Sequence, residues 1–565
     1  MVERERLAAD VDRDLGRACR AEAEARLTLG IYARLLLRRQ SYRQLGFVRL
    51  ADYSRERLGL SARAIEEAAS VATRLADLPR IESAFRNGRL SWTQVRLLVT
   101  VATAATEAAW IRVARSRSID VLNATVAAHR SPHRDATADG FDDHLVDGEP
   151  VAPLRIECPG RIRSLWRRAC ELASRVAGEP LSAWRAAEAI AAEGIAARPI
   201  GSSIADRVMA ALLRLARRPP GDRASIAASV VELDATPASS DDEAVAAGTA
   251  RPLTALAETS DPRVIDTHLV ATVQTLRTVE PRIGRLLRVL VDHHLYRMLG
   301  FRSLDAYVRE RLGLSTRKVW ALVRIDRAIR RAAPFAKAYE EGRLSWVRTL
   351  TLLPVVDRTT VDAWLTRSDA VTVRRLHDEV GFVLDRRDLD GQFASLQPPP
   401  VDAALGVQIG ARPSATNVVT KTGTDSIEIA DSEVRFAGPI SVTALMRDAL
   451  DVFSVSGEAR WRALERLLLR VITDWEAEPS HRDPVFARDA WRCTVPGCTS
   501  RRNLHDHHVR FRSHGGGNER TNRTTVCAAH HLHGIHAGVV KVTGTAPFAL
   551  RWDLPLFSCI GDRYV

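Results

Sequence analysis

Cysteine is scarce in this 565-residue chain, with seven residues of which Cys19, Cys158, Cys170 and Cys559 stand far apart. Scattered cysteines do not make the dense bridge pattern of a small secreted scaffold, which argues against a disulfide framework. Long apolar runs are missing as well. Stretches such as VMAALLRLARR are broken by arginine well before the roughly 18 residues that a membrane span needs. The amino-terminal MVERERLAADVDRDLGRACR is charged throughout and has no apolar core ahead of a cleavage site. No secretory signal is therefore expected, no membrane partner either, and the cytoplasm is the expected compartment. Acidic residues are outnumbered, 69 against 82 lysines and arginines, for a formal net charge of +13. Such an excess points to a polyanionic partner.

A chain of this length exceeds what one hydrophobic core organises, and an internal repeat shows how it is divided. YRQLGFVRLADYSRERLGLS, from Tyr42, returns as YRMLGFRSLDAYVRERLGLS, from Tyr296, and NGRLSW ending at Trp92 returns as EGRLSW ending at Trp346. Both pairs are offset by the same number of positions, so no insertion separates the copies. A second block repeats more weakly, as IECPGRIRSLWRRA and VRFAGPISVTALMRDA. Apolar residues recur at three and four positions, the spacing of amphipathic helices. Gly59 and Gly313 fall where a helix ends in a left-handed residue, and Ser61 and Ser315 where the next needs an N-cap. The expected architecture is mainly α. Helical modules span residues 1–130 and 265–387, with second blocks at 131–221 and 433–480 and linkers at 222–264 and 388–432. A small C-terminal domain follows at 481–565.

That last segment concentrates the chemistry. Cys493 and Cys498 form C-x4-C, and Cys527 with His530 forms C-x2-H, the four sulfur and nitrogen ligands of a closed structural zinc site. Pro496 and Gly497 supply a tight turn between the first two. The bland alternative, buried core cysteines, leaves the paired spacings unexplained. Between and after the half-sites come Asp506, His507, His508, Asn522, His531, His533 and His536.

With DHHV, the asparagine and VCAAHHLHGIHAG in this order, about 70 residues resemble the HNH endonuclease family, whose domain is a ββα-metal fold. The resemblance implies a metal-dependent nuclease acting on DNA. It implies His508 as the base that deprotonates a water, and His507 as a ligand of a catalytic ion, magnesium or another divalent metal. Asn522 would brace the loop carrying the base, and His531 would complete the ion's ligands. His536 is a weaker ligand candidate, one residue beyond i,i+4 spacing from His531. The alternative register makes His507 the base and Asp506 the ligand. His505, His514 and His533 receive no role. A non-cleaving binding or scaffold protein that keeps the zinc fold is the competing function.

Arg510 and Arg512 alternate along an expected strand and are candidates for contacting the DNA backbone. In the second module the helix after Ser315 carries Arg317, Lys318 and Arg324, with positions 317, 324 and 331 returning to one face, where a row of arginines can track phosphates. A solvated helix face is the alternative for that row. Helix-turn-helix docking and a helical scaffold both fit the repeats, and a homo-oligomer is left open.

Overall fold

The computed structural model describes residues 2–129, 145–146, 149–196, 261–390, 395–401, 403, 405, 432–455, 457–477 and 483–565. It is mainly helical, with a small strand-rich region at the C-terminus. Among the described residues no helix is long and apolar enough to cross a membrane.

The expected helix stops and starts are present in both copies. Gly59 and Gly313 adopt left-handed φ values of 67° and 65°, where a side chain would be strained. The Ser61 hydroxyl then accepts from the Ala64 N–H, and Ser315 from Lys318, capping the helices Ala62–Leu75 and Thr316–Ile329. The linker boundaries are corrected at two points. Pro262–Asp292 is already a helix, started by the Asp261 side chain accepting from Arg263 N–H, and Val373–Asp390 runs past residue 388. Most of both linker segments lies outside the described residues.

The copies interlock rather than follow one another. The helices Val2–Arg38 and Pro262–Asp292 pack side by side. Across them Tyr53 and Arg57 of the first copy bind Asp266 of the second, while Tyr307 and Arg311 of the second bind Asp12 of the first. Each of these residues and its counterpart are related by the offset of the sequence repeat, so the contacts form a reciprocal pair, as in an isologous dimer. The second blocks continue this exchange. Strand Glu149–Cys158 pairs antiparallel with Ser432–Pro439, centred on Arg155 opposite Arg435, with Leu154 opposite Phe436 and Ile156 opposite Val434. Helix Gly160–Ala177 packs on Arg460–Ala477, and Ala183–Ala196 on Ile440–Val452. Trp166, Ile190, Phe436, Met446 and Leu467 share one core drawn from both blocks.

In the C-terminal region strand Leu504–His508 pairs antiparallel with Arg523–Cys527. A π-helical turn, His530–Ile535, follows. Lys541–Thr545 and Ala549–Asp553 then form a closing hairpin, extended by Ser558–Ile560 and Arg563–Tyr564 into a four-stranded sheet. Val495, Val526, Val540, Leu550 and Trp552 form its core.

This region is seated on the helical body through the turn between its first two cysteines. The buried Arg374 guanidinium donates to the carbonyls of Cys493, Val495 and Cys498 and pairs with Asp562. Arg55 donates to the Gly497 carbonyl and Thr499 to Asp52, while Glu56 accepts from the Val373 and Arg374 N–H groups that open helix Val373–Asp390. Arg492 pairs with Asp378 on that helix.

Candidate functional site

Cys493, Cys498, Cys527 and His530 are all buried and bring their ligand atoms together. His530 Nδ1 lies 3.5 Å from Cys493 Sγ and 3.4 Å from Cys527 Sγ. Bond lengths of about 2.3 Å to sulfur and about 2.0 Å to nitrogen give a tetrahedral zinc site a sulfur-to-nitrogen edge of about 3.5 Å. The four residues therefore fit a metal such as zinc. Burial, with the sulfurs of Cys498 and Cys527 beside it, pushes the Cys493 thiol well above its usual range. The three sulfurs could all lose their protons in this buried space only with a cation at their centre, so a bound metal would be what ionises Cys493. The outer nitrogen of His530, Nε2, faces the Gly46 carbonyl of the first copy at 3.3 Å. A backbone oxygen at that place favours the tautomer that would present Nδ1 to such a metal.

A second cluster joins His507 of strand Leu504–His508 to His531 and His536 of the π-helical turn and its end. His507, His531 and His536 bring ligand nitrogens within 4.8 Å of one another. His507 is buried, and its Nε2 has no hydrogen-bond partner. His531 and His536 face each other at 3.2 Å between Nε2 atoms. Their five-residue spacing is accommodated by the π-helical turn, in which the His536 N–H bonds the His531 carbonyl. The extra residue is absorbed in the backbone, so both rings remain on one side. Burial, reinforced by the nearby histidines, lowers His507 to about 4 and lowers His531 as well. Both rings are therefore neutral at pH 7, as a metal ligand must be.

Strand alternation sorts the remaining residues. His505 shares the face of His507, and its Nδ1 lies 2.9 Å from His531 Nδ1. Asp506 points to the other face and pairs with Arg523. His508 ends the strand with its Nε2 2.9 Å from Asn518 Oδ1, clear of the three-histidine cluster. Asn522 braces the intervening loop. Its Oδ1 accepts from the Arg510 N–H, and its Nδ2 donates to the Arg510 and Gly517 carbonyls.

The candidate nucleic-acid residues fall out differently. Arg510 and Arg512 do not alternate along a strand, because the strand ends at His508 and Arg512 lies in a short 3-10 turn. Both are exposed, and Arg510 Nε donates to the His514 carbonyl. Lys318 does not face solvent as a free charge, since its ammonium bridges Glu22 and Glu280 at 2.5 and 3.0 Å. Arg324 is exposed, and the side chain of Arg317 lies outside the described residues. No family model matches the chain, and neither a curated protein nor a solved structure is detectably similar to it.

Two residues were missed from the sequence. His505 was legible, because a period of two applied to LHDHH places it with His507. Arg374 carried no local signal, since its partners lie more than a hundred residues away.

Proposed function

We propose that the chain is a metal-dependent endonuclease that hydrolyses phosphodiester bonds in DNA through a C-terminal HNH-type domain. The observation that carries this reading is the convergence of His507, His531 and His536 on one face of a strand that ends at His508 and whose following loop is held by Asn522. A zinc scaffold alone would need none of these. The three imidazoles would hold a divalent ion, which stabilises charge on the scissile phosphate and on the leaving oxygen.

His508 is the base in this reading. In the tautomer with Nε2 protonated towards Asn518, the ring lone pair is at Nδ1. That nitrogen takes a proton from water as the water oxygen bonds to phosphorus and the bond to the sugar oxygen breaks. The engagement of Asp506 by Arg523 supports His507, rather than Asp506, as the ligand. Incubation of purified protein with supercoiled plasmid and a panel of divalent ions tests the proposal. Nicking or linearisation with magnesium or manganese is expected, with protection by chelator and loss of cleavage in His508→Ala. A His508→Ala protein that cuts as fast as the parent, while His507→Ala does not, would overturn the assigned roles.

A further inference from the structure

The interlocked copies differ in what covers them. On the first copy, the seat formed by Arg55, Glu56 and the start of helix Val373–Asp390 is filled by the C-terminal domain. The repeat maps that seat onto Arg309, Glu310 and Ile119, where Glu310 accepts from the Ile119 N–H at 2.7 Å as Glu56 does from Val373 at 2.6 Å. No counterpart of the C-terminal domain fills this second seat among the described residues, and the second blocks face it through Pro150, Trp184 and Ala437. Pro555 and Leu554 press on Gly46, whereas its counterpart Gly300 faces open space. Asp120 stands where the first seat has Arg374, so carbonyl oxygens of a zinc-binding turn would meet a carboxylate there instead of a guanidinium.

The second seat opens into a cavity of about 1370 Å³ lined by both copies. Pockets for small molecules occupy roughly 300–1,000 Å³, so a polymer segment fits the space better than a metabolite. Most of the acids in its wall are already neutralised. Glu22 is held by Arg26 and Lys318, and Asp120 by Arg309, while Glu310 caps a helix. Glu24 has neither an ion pair nor a capping contact for its side chain among the described residues. Against it stand Arg20, Arg89 and Arg115, exposed and without an ion pair among the described residues. At the wall Trp320 is 47% exposed, a large aromatic face with no packing reason to be there. Arg324, one turn further along the same helix face, is exposed as well. Its counterpart position to Trp320 in the first copy is Glu66.

Unpaired guanidinium groups beside an exposed indole are the combination that holds phosphates and stacks a base. We propose that this cavity binds a single-stranded nucleic-acid segment, with phosphates on Arg20, Arg89 and Arg115 and a base stacked on Trp320. The choice of polymer rests on the nuclease reading; the charge and the aromatic face do not.

Anisotropy titrations of the full chain with a fluorescein-labelled oligothymidylate, without added divalent ion and at several salt concentrations, test the proposal. Trp320→Ala should weaken binding about tenfold, in line with the loss of one stacked base, and Trp320→Phe should retain most of the affinity. Arg20→Glu with Arg115→Glu should lower the slope of log affinity against log salt by about 1.4, two phosphate contacts to a single strand. Glutamate at Arg63 and Arg74, in the first copy, should change neither quantity. All these side chains lie on the surface, and unchanged melting temperatures identify folded variants. Parental affinity and slope in the Trp320→Ala and double-arginine variants would overturn the site, as would a parent that does not bind the oligonucleotide. A chain that cuts plasmid but shows no Trp320 dependence loses this site and keeps the nuclease reading. One that binds through Trp320 yet cuts nothing with any metal does the reverse.

Discussion

The Tyr53 hydroxyl donates to the buried carboxylate of Asp266, 2.9 Å away and 213 residues later in the chain. Its counterpart, Tyr307 to Asp12, has the same length and runs in the opposite direction between the copies. Both bonds hold one copy against the other, and Arg57 and Arg311 add charge to each. Tyr53→Phe should cost about 1 kcal/mol, because the hydroxyl is lost from a carboxylate that keeps its arginine. Tyr307→Phe should cost a similar amount, and the double variant should show the sum, since the two sites share no partner. Urea titrations measure all three. A double variant as stable as the parent would show that the exchange contributes nothing.

Zinc should be structural and present at one ion per chain. Cys527→Ser removes a thiolate from a closed site, and in so small a unit metal-binding energy is folding energy. Lower zinc content and a lower melting temperature are expected together. Arg374→Ala separates docking from binding. It leaves three carbonyls and Asp562 without their buried cation, a loss of about 3–5 kcal/mol, while all four zinc ligands remain. Metal analysis beside limited proteolysis should show zinc retained and the C-terminal domain released early. Wild-type protein that is stable and free of zinc would sink both expectations.

Gly516→Ala should abolish plasmid cleavage without loss of zinc. A Cβ at this position would stand 1.9 Å from the Arg510 carbonyl oxygen and 3.0 Å from Asn522 Nδ2, so the loop that Asn522 braces must open. The zinc ligands lie on other segments and keep their geometry. Cleavage at the parental rate would remove that loop from any role in the reaction.

Glu22 links acidity to the packing of the copies. Burial alone would raise its pKa, but Arg26 and Lys318 overcome burial and hold it at about 2, below its ordinary 4.5. A depressed carboxylate contributes stability that is fully present above about 4.5 and is lost as the pH falls towards 2. Glu22→Gln should cost about 3 kcal/mol at neutral pH, because Arg26 loses its buried counter-ion. The stability difference between parent and variant should shrink as the pH falls through that window. Acid loss of zinc affects both proteins alike and cancels in the difference. A difference that does not change with pH would contradict the assignment.

The helical repeats and their caps were legible because they depend on neighbours within a few positions. Gly59, Ser61, Gly313 and Ser315 act through bonds that close inside one turn, and the apolar spacing of three and four needs no partner to be recognised. The cluster that could hold a metal was legible for a related reason. C-x4-C and C-x2-H each place two candidate ligands locally, and only their meeting is tertiary.

Contacts across long sequence distances decided the remainder. Nothing near Asp12 or Asp266 announces that each belongs to the other copy, since a carboxylate on a helix reads the same whether it faces water or a tyrosine. Lys318 read as part of a basic row, and its pairing with Glu22 and Glu280 came from helices that the local pattern could not bring together. His536 looked one residue out of step because regular helix spacing was assumed, whereas a π-helical turn rotates it back towards His531. The sequence by itself determined which residues are available as caps, ligands and helix faces, because short-range sterics and hydrogen bonding act within a few positions. Only the tertiary structure decided which of them meet, because burial and charge neutralisation are settled by whatever chain packs alongside.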